Sequence, residues 1–150
     1  MNRTLGFFLA AALLVLSGCA SVPMADTQQD HALKAFTAKP DVAEVYIYRN
    51  ETMGAAVRMN VAVDGKPLGQ TAAKTFLYTE VAPGRHTITS SAENTDTLEL
   101  DAQAGKLYYI WQEVKMGLLY ARTKLHLVDK IEGQAGVLDT QLASSPQAKK

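Results

Sequence analysis

A period-two alternation between residues 57 and 64 constrains the fold of this chain more than any other feature. Bulky apolar residues take every second position, and other residues separate them: Val57, Met59, Val61 and Val63 against Arg58, Asn60, Ala62 and Asp64. Successive side chains of a β-strand point to opposite faces of the sheet. The sequence therefore predicts a strand with one face in the core and the other in water.

Six further segments have strand patterns, and short connections rich in turn residues join them. The predicted strands are Glu44–Arg49, Thr75–Val81, His86–Ser91, Thr97–Asp101, Leu107–Val114 and Arg122–Val128. The turn dipeptides are Asp64-Gly65, Pro83-Gly84, Ala104-Gly105 and Met116-Gly117. Seven short strands at this spacing predict an all-β fold, a single β-sandwich of the transthyretin-like or immunoglobulin-like kind.

The segment Leu107–Trp111 is apolar on both faces. A central strand covered on each side has this pattern, so core packing is favoured over a ligand-stacking platform made of Tyr108, Tyr109 and Trp111.

A short C-terminal helix is predicted after the last strand. Asp129 and Glu132 have the spacing of a capping box, and one helical face carries Ile131, Ala135, Leu138 and Leu142. Gly133 and Gly136 should weaken this helix by roughly 1 kcal/mol each relative to alanine. We therefore expect it to be stable only through packing on the sheet.

Residues 1–18 have the pattern of a signal peptide. Asn2 and Arg3 form a short positive region, Leu5–Leu16 is apolar, and the segment ends in Leu16-Ser17-Gly18-Cys19. An apolar stretch of about twelve residues is shorter than the roughly 20 that a membrane-spanning helix needs. The last four residues resemble the bacterial lipobox, after which the sulfur of Cys19 carries lipid.

The lipobox resemblance implies a diacylglyceryl thioether on Cys19, cleavage between Gly18 and Cys19, and a further acyl chain, commonly palmitate, on the new amine. Such chains anchor a protein stably without a transmembrane span. Ala20 and Ser21 follow the cysteine in place of an inner-membrane retention aspartate. By this analogy the protein is expected in the bacterial cell envelope, lipid-anchored at the periplasmic face of the outer membrane.

The rest of the mature chain divides into three predicted parts. Residues 19–40 carry the lipidated cysteine and a spacer, with a short helix over Thr27–Phe36 capped by Asp26 and a reach of roughly 25 Å if flexible. Residues 41–143 form the β-sandwich domain, and the tail of residues 144–150 is expected to be disordered.

Composition limits the function classes. The 15 basic and 15 acidic residues, 14 and 15 once Arg3 is removed, form no basic stripe and argue against nucleic acid as a partner. Cys19 is the sole cysteine, so an internal disulfide and a cysteine-based metal site are excluded. The three histidines, His31, His86 and His126, lack metal-ligand spacing, and no phosphate-binding motif occurs. No metal and no cofactor are predicted.

Catalytic constellations are also weak. Ser90 and Ser91 lie in a predicted strand without a nucleophile elbow. Glu93, Asp96, Glu99 and Asp101 are close together in sequence, but Glu99 and Asp101 alternate with Leu98 and Leu100 as on a solvated strand face, which argues against a glycosidase pair. We therefore predict that the protein is not an enzyme.

Arg49 and His86 are the candidate ligand-binding residues. Arg49 ends an apolar strand, where it could pair with Glu51 or Glu80, bond carbonyls at the strand ends, or clamp a ligand carboxylate. His86 follows the Pro83-Gly84 turn, at the rim of the predicted sandwich.

Four local phrases resemble the bacterial lipoproteins of unknown function that carry the DUF2846 domain. They are Ala35-Phe36, Val45-Tyr46-Ile47-Tyr48-Arg49, Val61-Ala62-Val63-Asp64-Gly65 and Val81-Ala82-Pro83-Gly84-Arg85-His86. The last two also resemble phrases of PEGA-type surface modules, which are small β-sandwiches without catalysis. The resemblance covers roughly residues 30 to 140 and implies no activity.

Together these patterns predict a membrane-anchored envelope lipoprotein that acts as a non-catalytic structural or protein-interaction module. The alternative is a periplasmic binding domain for a glycan or small ligand, using the Arg49–Gly54 loop and the Pro83-Gly84 turn. A hydrolase is the third and weakest hypothesis. The bilayer, through the lipid anchor, and an envelope protein are the expected partners, and the sequence leaves the oligomeric state open.

Overall fold

The computed structural model describes residues 19–146. The predicted signal peptide, residues 1–18, lies outside the described residues, as do residues 147–150. In chain order the elements are α1 (Thr27–Leu33), β1 (Ala43–Arg49), β2 (Met59–Val63), β3 (Lys66–Thr71), β4 (Thr75–Val81), β5 (Gly84–Ser91), β6 (Thr95–Ala102), β7 (Leu107–Met116), β8 (Ala121–Val128), α2 (Lys130–Leu138) and β9 (Gln141–Leu142).

The strands form two sheets that pack face to face. One has the order β8-β7-β1-β4-β9 and the other the order β3-β2-β5-β6. In the first sheet β1 runs parallel to β7 and antiparallel to β4, while the second sheet is antiparallel throughout. The prediction of an all-β sandwich with a short C-terminal helix is confirmed. No helix within residues 19–146 is long and apolar enough to span a bilayer.

Strand β1 is buried along its whole length, from Ala43 to Arg49. On one face Val45 and Ile47 lie in the core between the two sheets. On the other face Tyr46 and Tyr48 lie in a second core. Helices α1 and α2 cover this second core, so the five-stranded sheet has apolar layers on both sides.

Helix α2 packs through its glycines, and the predicted packing face is wrong. Ile131 and Leu138 are largely exposed, and Leu142 belongs to β9 instead. Gly133 and Gly136 are buried instead. A Cβ on Gly133 would come within 2.2 Å of the Tyr109 ring, and a Cβ on Gly136 within 2.1 Å of the Tyr48 ring. The glycines therefore permit the close approach of the helix to the sheet.

Two strands escaped prediction. Asp64 and Gly65 adopt positive φ values of 51° and 73°, as a tight hairpin turn requires, and the chain returns as β3. The sequence pattern did not predict β3 because Pro67 and Gly69 are unusual inside a strand. They are tolerated here because β3 lies at the edge of its sheet. β9 has two residues and exists only through its parallel pairing with β4.

The segment expected to be a flexible spacer is packed against the domain. Val22 is buried in the core between the sheets, and Met24 forms an isolated β-bridge with Ala143. The Asp30 carboxylate of α1 accepts the Leu142 N–H at 2.8 Å. The predicted helix ends early, at Leu33, with Lys34 as its C-cap, and it cannot extend through Phe36, which takes a positive φ of 51°.

The first residues of the predicted tail are also ordered. The Ser144 N–H donates to the Pro23 carbonyl at 2.8 Å, and the Ser145 hydroxyl donates to the Leu68 carbonyl at 2.6 Å. The expectation of disorder from residue 144 onward is therefore wrong for residues 144–146, which hold the N-terminal segment on the domain.

We predict that Gly136→Ala destabilises the domain by roughly 1 to 3 kcal/mol, because the added methyl group overlaps the Tyr48 ring. Helix propensity alone predicts the opposite sign, a gain of about 1 kcal/mol. Chemical denaturation of the two proteins measures the difference. Lys130→Ala in the same helix is the control, because Lys130 is exposed. A Gly136→Ala protein that is more stable than wild type would contradict the packing.

Candidate functional site beside Cys19

One end of the sandwich gathers the features of interest, and we call it the Cys19 end. The parallel strands β1 and β7 both finish there, so the loop 50–58 and the tip 117–120 of the β7–β8 hairpin are neighbours. The Ala20 N–H donates to the Ala55 carbonyl at 2.8 Å. Cys19, which is exposed and forms no disulfide, is therefore at the same end.

Arg49 holds the loop at this end and is fully buried. Its guanidinium donates to the Val57 carbonyl at 2.7 Å, the Gly54 carbonyl at 2.7 Å and the Met53 carbonyl at 3.2 Å. Burial lowers the pKa of Arg49, and the nearby Glu51 charge opposes that shift. Of the three roles open for Arg49, this geometry matches carbonyl bonding.

The β7–β8 hairpin presents an exposed apolar tip. The exposed fractions are 78% for Met116, 92% for Leu118, 83% for Leu119 and 68% for Tyr120. Beneath the tip, the Glu93 carboxylate accepts the backbone N–H groups of Leu118, Leu119 and Tyr120 at 2.8 to 3.0 Å. These three bonds lower the pKa of Glu93. Glu93, one of the acidic residues considered above for a glycosidase pair, therefore caps this turn.

A chain of polar side chains crosses the core near this end. The Thr71 hydroxyl donates to the Gln112 side-chain oxygen at 2.5 Å, and the Gln112 amide donates to Ser90 Oγ at 2.6 Å. Ser90 Oγ and Thr123 Oγ1 are 2.6 Å apart. All four residues are buried, so the Ser90 hydroxyl connects the two sheets and does not face solvent. Sequence reasoning missed this network.

His86 lies at the opposite end of the sandwich from Arg49. In the β1–β4 ladder Arg49 faces Thr75, whereas Ala43 faces Val81, just before the Pro83-Gly84 turn. Seven residues of strand separate the two ends by about 20 Å. One binding site cannot include both the Arg49–Gly54 loop and the Pro83-Gly84 turn.

His86 ties two turns together. Its Nδ1 lies 2.7 Å from Asp64 Oδ2, and its Nε2 lies 2.7 Å from the Ala82 carbonyl oxygen. Both partners are acceptors, so both ring nitrogens donate when the ring is protonated. The hydrogen bond to Asp64 raises the pKa of His86, and the same bond lowers the pKa of Asp64.

His126 lies on the outer face of the five-stranded sheet. Its ring stacks on Trp111 with centroids 5.0 Å apart, and its Nε2 is 2.7 Å from a Glu113 carboxylate oxygen. This hydrogen bond lowers the pKa of Glu113. The two histidines are thus on different parts of the surface, each with its own carboxylate. No three His, Cys, Asp or Glu residues within the described range 19–146 are grouped so as to hold a metal ion.

A groove of about 790 Å³ follows the outer face of the four-stranded sheet. Its lining is mostly apolar, with amide and hydroxyl side chains on the floor, and its wall is made by the N-terminal segment and residues 144–146. We call it the sheet groove; its lining includes Asn60, Gln70, Thr89, Ser91, Pro23 and Ser144–Pro146.

Comparison with known proteins finds similarity at the level of the whole domain. Residues 39–123 match the family described as "Protein of unknown function (DUF2846)". An uncharacterised protein of Haemophilus influenzae is 32% identical over 135 residues, which cover 88% of this chain and 80% of that protein. No solved structure matches the chain.

We predict that His86→Asn loses stability in a pH-dependent way. The pKa of His86 is raised above 6.5, so its contribution is complete below pH 6.5 and disappears as pH rises through the raised pKa. The pKa of Asp64 is lowered below 3.8, so its contribution disappears as pH falls through that lower value. The gap in melting temperature should be widest between pH 4 and 6.5.

The free-energy difference should be about 1 kcal/mol or less, because Asp64 is partly exposed and water screens the pair. His31→Asn, at an exposed position of α1, is the control. A gap for His86→Asn that stays constant from pH 5 to 9 would contradict the ion pair.

Proposed function

The chain belongs to the DUF2846 family of proteins of unknown function, and we propose that it is a lipid-anchored protein of the bacterial cell envelope that acts by contact. The observation that carries the proposal is the position of Cys19. The sole cysteine of the sequence follows a signal-like apolar segment, and it is exposed at one end of a folded domain.

The anchor would hold the domain directly at the membrane surface. The chain joins the domain at Ala20, one residue after the lipid-bearing position, through the hydrogen bond to Ala55. Because the N-terminal segment is packed on the domain, no long flexible linker would separate the bilayer from the sandwich. The domain would therefore keep a limited range of orientations, with the Cys19 end toward the lipid.

Ala20 and Ser21 directly follow Cys19 and favour the outer membrane over the inner membrane. Together with the signal segment, they support a place on the periplasmic face. This part of the proposal rests on the analogy with sorting of Gram-negative lipoproteins.

A contact role is supported by the structural hydrogen bonds that the candidate polar side chains make. Arg49 bonds loop carbonyls, Ser90 lies inside the core network, and His86 bonds two turns. Each of these residues has a structural task. We propose that the protein is a non-catalytic module and that the sheet groove is the surface that meets an envelope partner.

The second candidate is a binding domain for a glycan. The sheet groove favours it, since its volume of about 790 Å³ falls in the range of small-molecule sites and its floor offers amides and hydroxyls. Chemical-shift changes at Asn60 and Gln70 on adding soluble peptidoglycan fragments would support this candidate. Their absence would leave a protein partner as the occupant.

We predict that Cys19→Ala abolishes lipidation and leaves an unprocessed precursor, because the sulfur accepts the lipid and cleavage follows that step. Metabolic labelling with a palmitate analogue, followed by gel mobility, measures both effects. Ser21→Ala, two residues further on, is the control and should keep the label. If the Cys19→Ala protein retains the label, the assignment of Cys19 as the lipid anchor is wrong.

We predict that Thr89→Trp removes the envelope partner, because Thr89 lines the sheet groove and a large side chain there would block it. Thr97→Trp is the matched control: Thr97 faces Thr89 across β5 and β6 but does not line the groove. Crosslinking in intact envelopes, with mass spectrometry of the recovered proteins, compares the two. If the Thr89→Trp protein recovers the same partner proteins in the same amounts as the Thr97→Trp protein and the wild type, the groove is excluded as the contact surface.

A further inference from the structure

The tip of the β7–β8 hairpin has more exposed apolar surface than a solvated turn requires. Met116, Leu118, Leu119 and Tyr120 are consecutive apart from Gly117, and each is more than two-thirds exposed. An apolar patch of this kind marks a surface that is covered by another molecule or by lipid. The question is which of the two covers it.

The backbone N–H donors of residues 117–120 are already paired within the protein. The Gly117 N–H donates to the Tyr120 carbonyl at 2.8 Å, which closes the turn. The next three N–H groups donate to Glu93. In lipid an unpaired backbone donor is costly, and four successive donors of this tip are paired. The tip can therefore leave water without breaking hydrogen bonds at these donors.

The tip is also beside the predicted anchor. Loop 50–58, which holds Ala20 through Ala55, packs on the stem of the hairpin at Gly54. A Cβ on Gly54 would lie 3.0 Å from Val114 Cγ1 and 3.3 Å from the Ala121 Cβ. Met53 in the same loop is 51% exposed and extends the apolar surface. Any bilayer that holds lipid on Cys19 would thus face this end of the domain.

Two basic side chains lie at the base of the tip, where they can reach lipid headgroups. Lys115 and Arg122 are cross-strand neighbours at the base of the tip, and both are exposed. Two carboxylates share this region and offset part of the positive charge: Glu113 lies near His126 and 3.5 Å from Lys115, and Glu93 accepts the tip amides. Tyr120 adds an aromatic ring of the kind that lies at the headgroup level. Basic side chains below an apolar tip attract anionic headgroups.

We propose that residues 116–120 insert into the bilayer that holds the lipidated Cys19, as a second and protein-based membrane contact. This inference rests on the proposed anchoring of the mature chain. It assigns a direction to the domain: the Cys19 end lies in the headgroup region, and the far end with His86 points away from the membrane.

The test uses the full-length protein with Leu119→Cys. In the lipidated protein the Cys19 sulfur is a thioether, so the introduced thiol is the one site for an environment-sensitive fluorophore. The labelled protein is reconstituted into vesicles of phosphatidylethanolamine and phosphatidylglycerol, with or without nitroxide-bearing acyl chains. Ile131→Cys is the matched control, because Ile131 is 84% exposed at the start of α2, which follows the far end of β8.

Insertion predicts a shift of the Leu119→Cys emission to shorter wavelength and its loss in nitroxide vesicles, while the Ile131→Cys emission keeps its aqueous value. Equal, water-like emission from both variants would overturn the proposal. The proposal would also be overturned if the Leu119→Cys thiol is shielded from thiol reagents in intact envelopes while its fluorophore is not quenched in nitroxide vesicles. A protein, and not lipid, would then cover the tip. Labelling of the unsubstituted protein at Cys19 would instead show a free thiol and thus a failure of the anchor alone.

Discussion

The structure depends on covering both faces of strand β1. Val45 and Ile47 fill the space between the sheets, while Tyr46 and Tyr48 require a second apolar layer on the outside. Helix α2 supplies part of that layer and can approach the Tyr48 ring only because residue 136 is glycine. The hydroxyl of Tyr46 donates to the Leu33 carbonyl at 3.0 Å, which brings α1 to the same face. Both helices are thus consequences of one doubly buried strand.

The edges of the sandwich are joined by side chains that replace strand pairing. β6 and β8 belong to different sheets, and Asn94 accepts the Thr123 N–H while Asp96 accepts the Leu125 N–H. Glu93 continues this series onto the hairpin tip. Unpaired edge donors invite association with other chains, and these carboxylate and amide groups occupy them. The same acidic cluster therefore closes the edge and shapes the exposed tip.

The N-terminal segment links the fold to the proposed function. Its β-bridge at Met24 and its hydrogen bond at Ala20 bring Cys19 to the domain surface. Pro23 and the Ser144–Pro146 segment then form one wall of the sheet groove. The packing of this one segment thus shapes the candidate contact surface, and in a protein anchored at Cys19 as proposed it would also set the distance of the domain from the membrane and its orientation.

The sequence by itself determined the strands with strong period-two patterns, the turn at Asp64-Gly65 and the helix caps at Asp26 and Asp129, because these depend on neighbouring residues. It also carries the lipobox resemblance at Cys19. Only the tertiary structure decided the packing role of the α2 glycines, the carbonyl bonds of Arg49 and the tasks of Glu93 and Gln112. Each depends on a contact between residues far apart in the chain, such as Tyr48 and Gly136. Local sequence patterns report only on neighbouring residues, so they cannot predict such a contact.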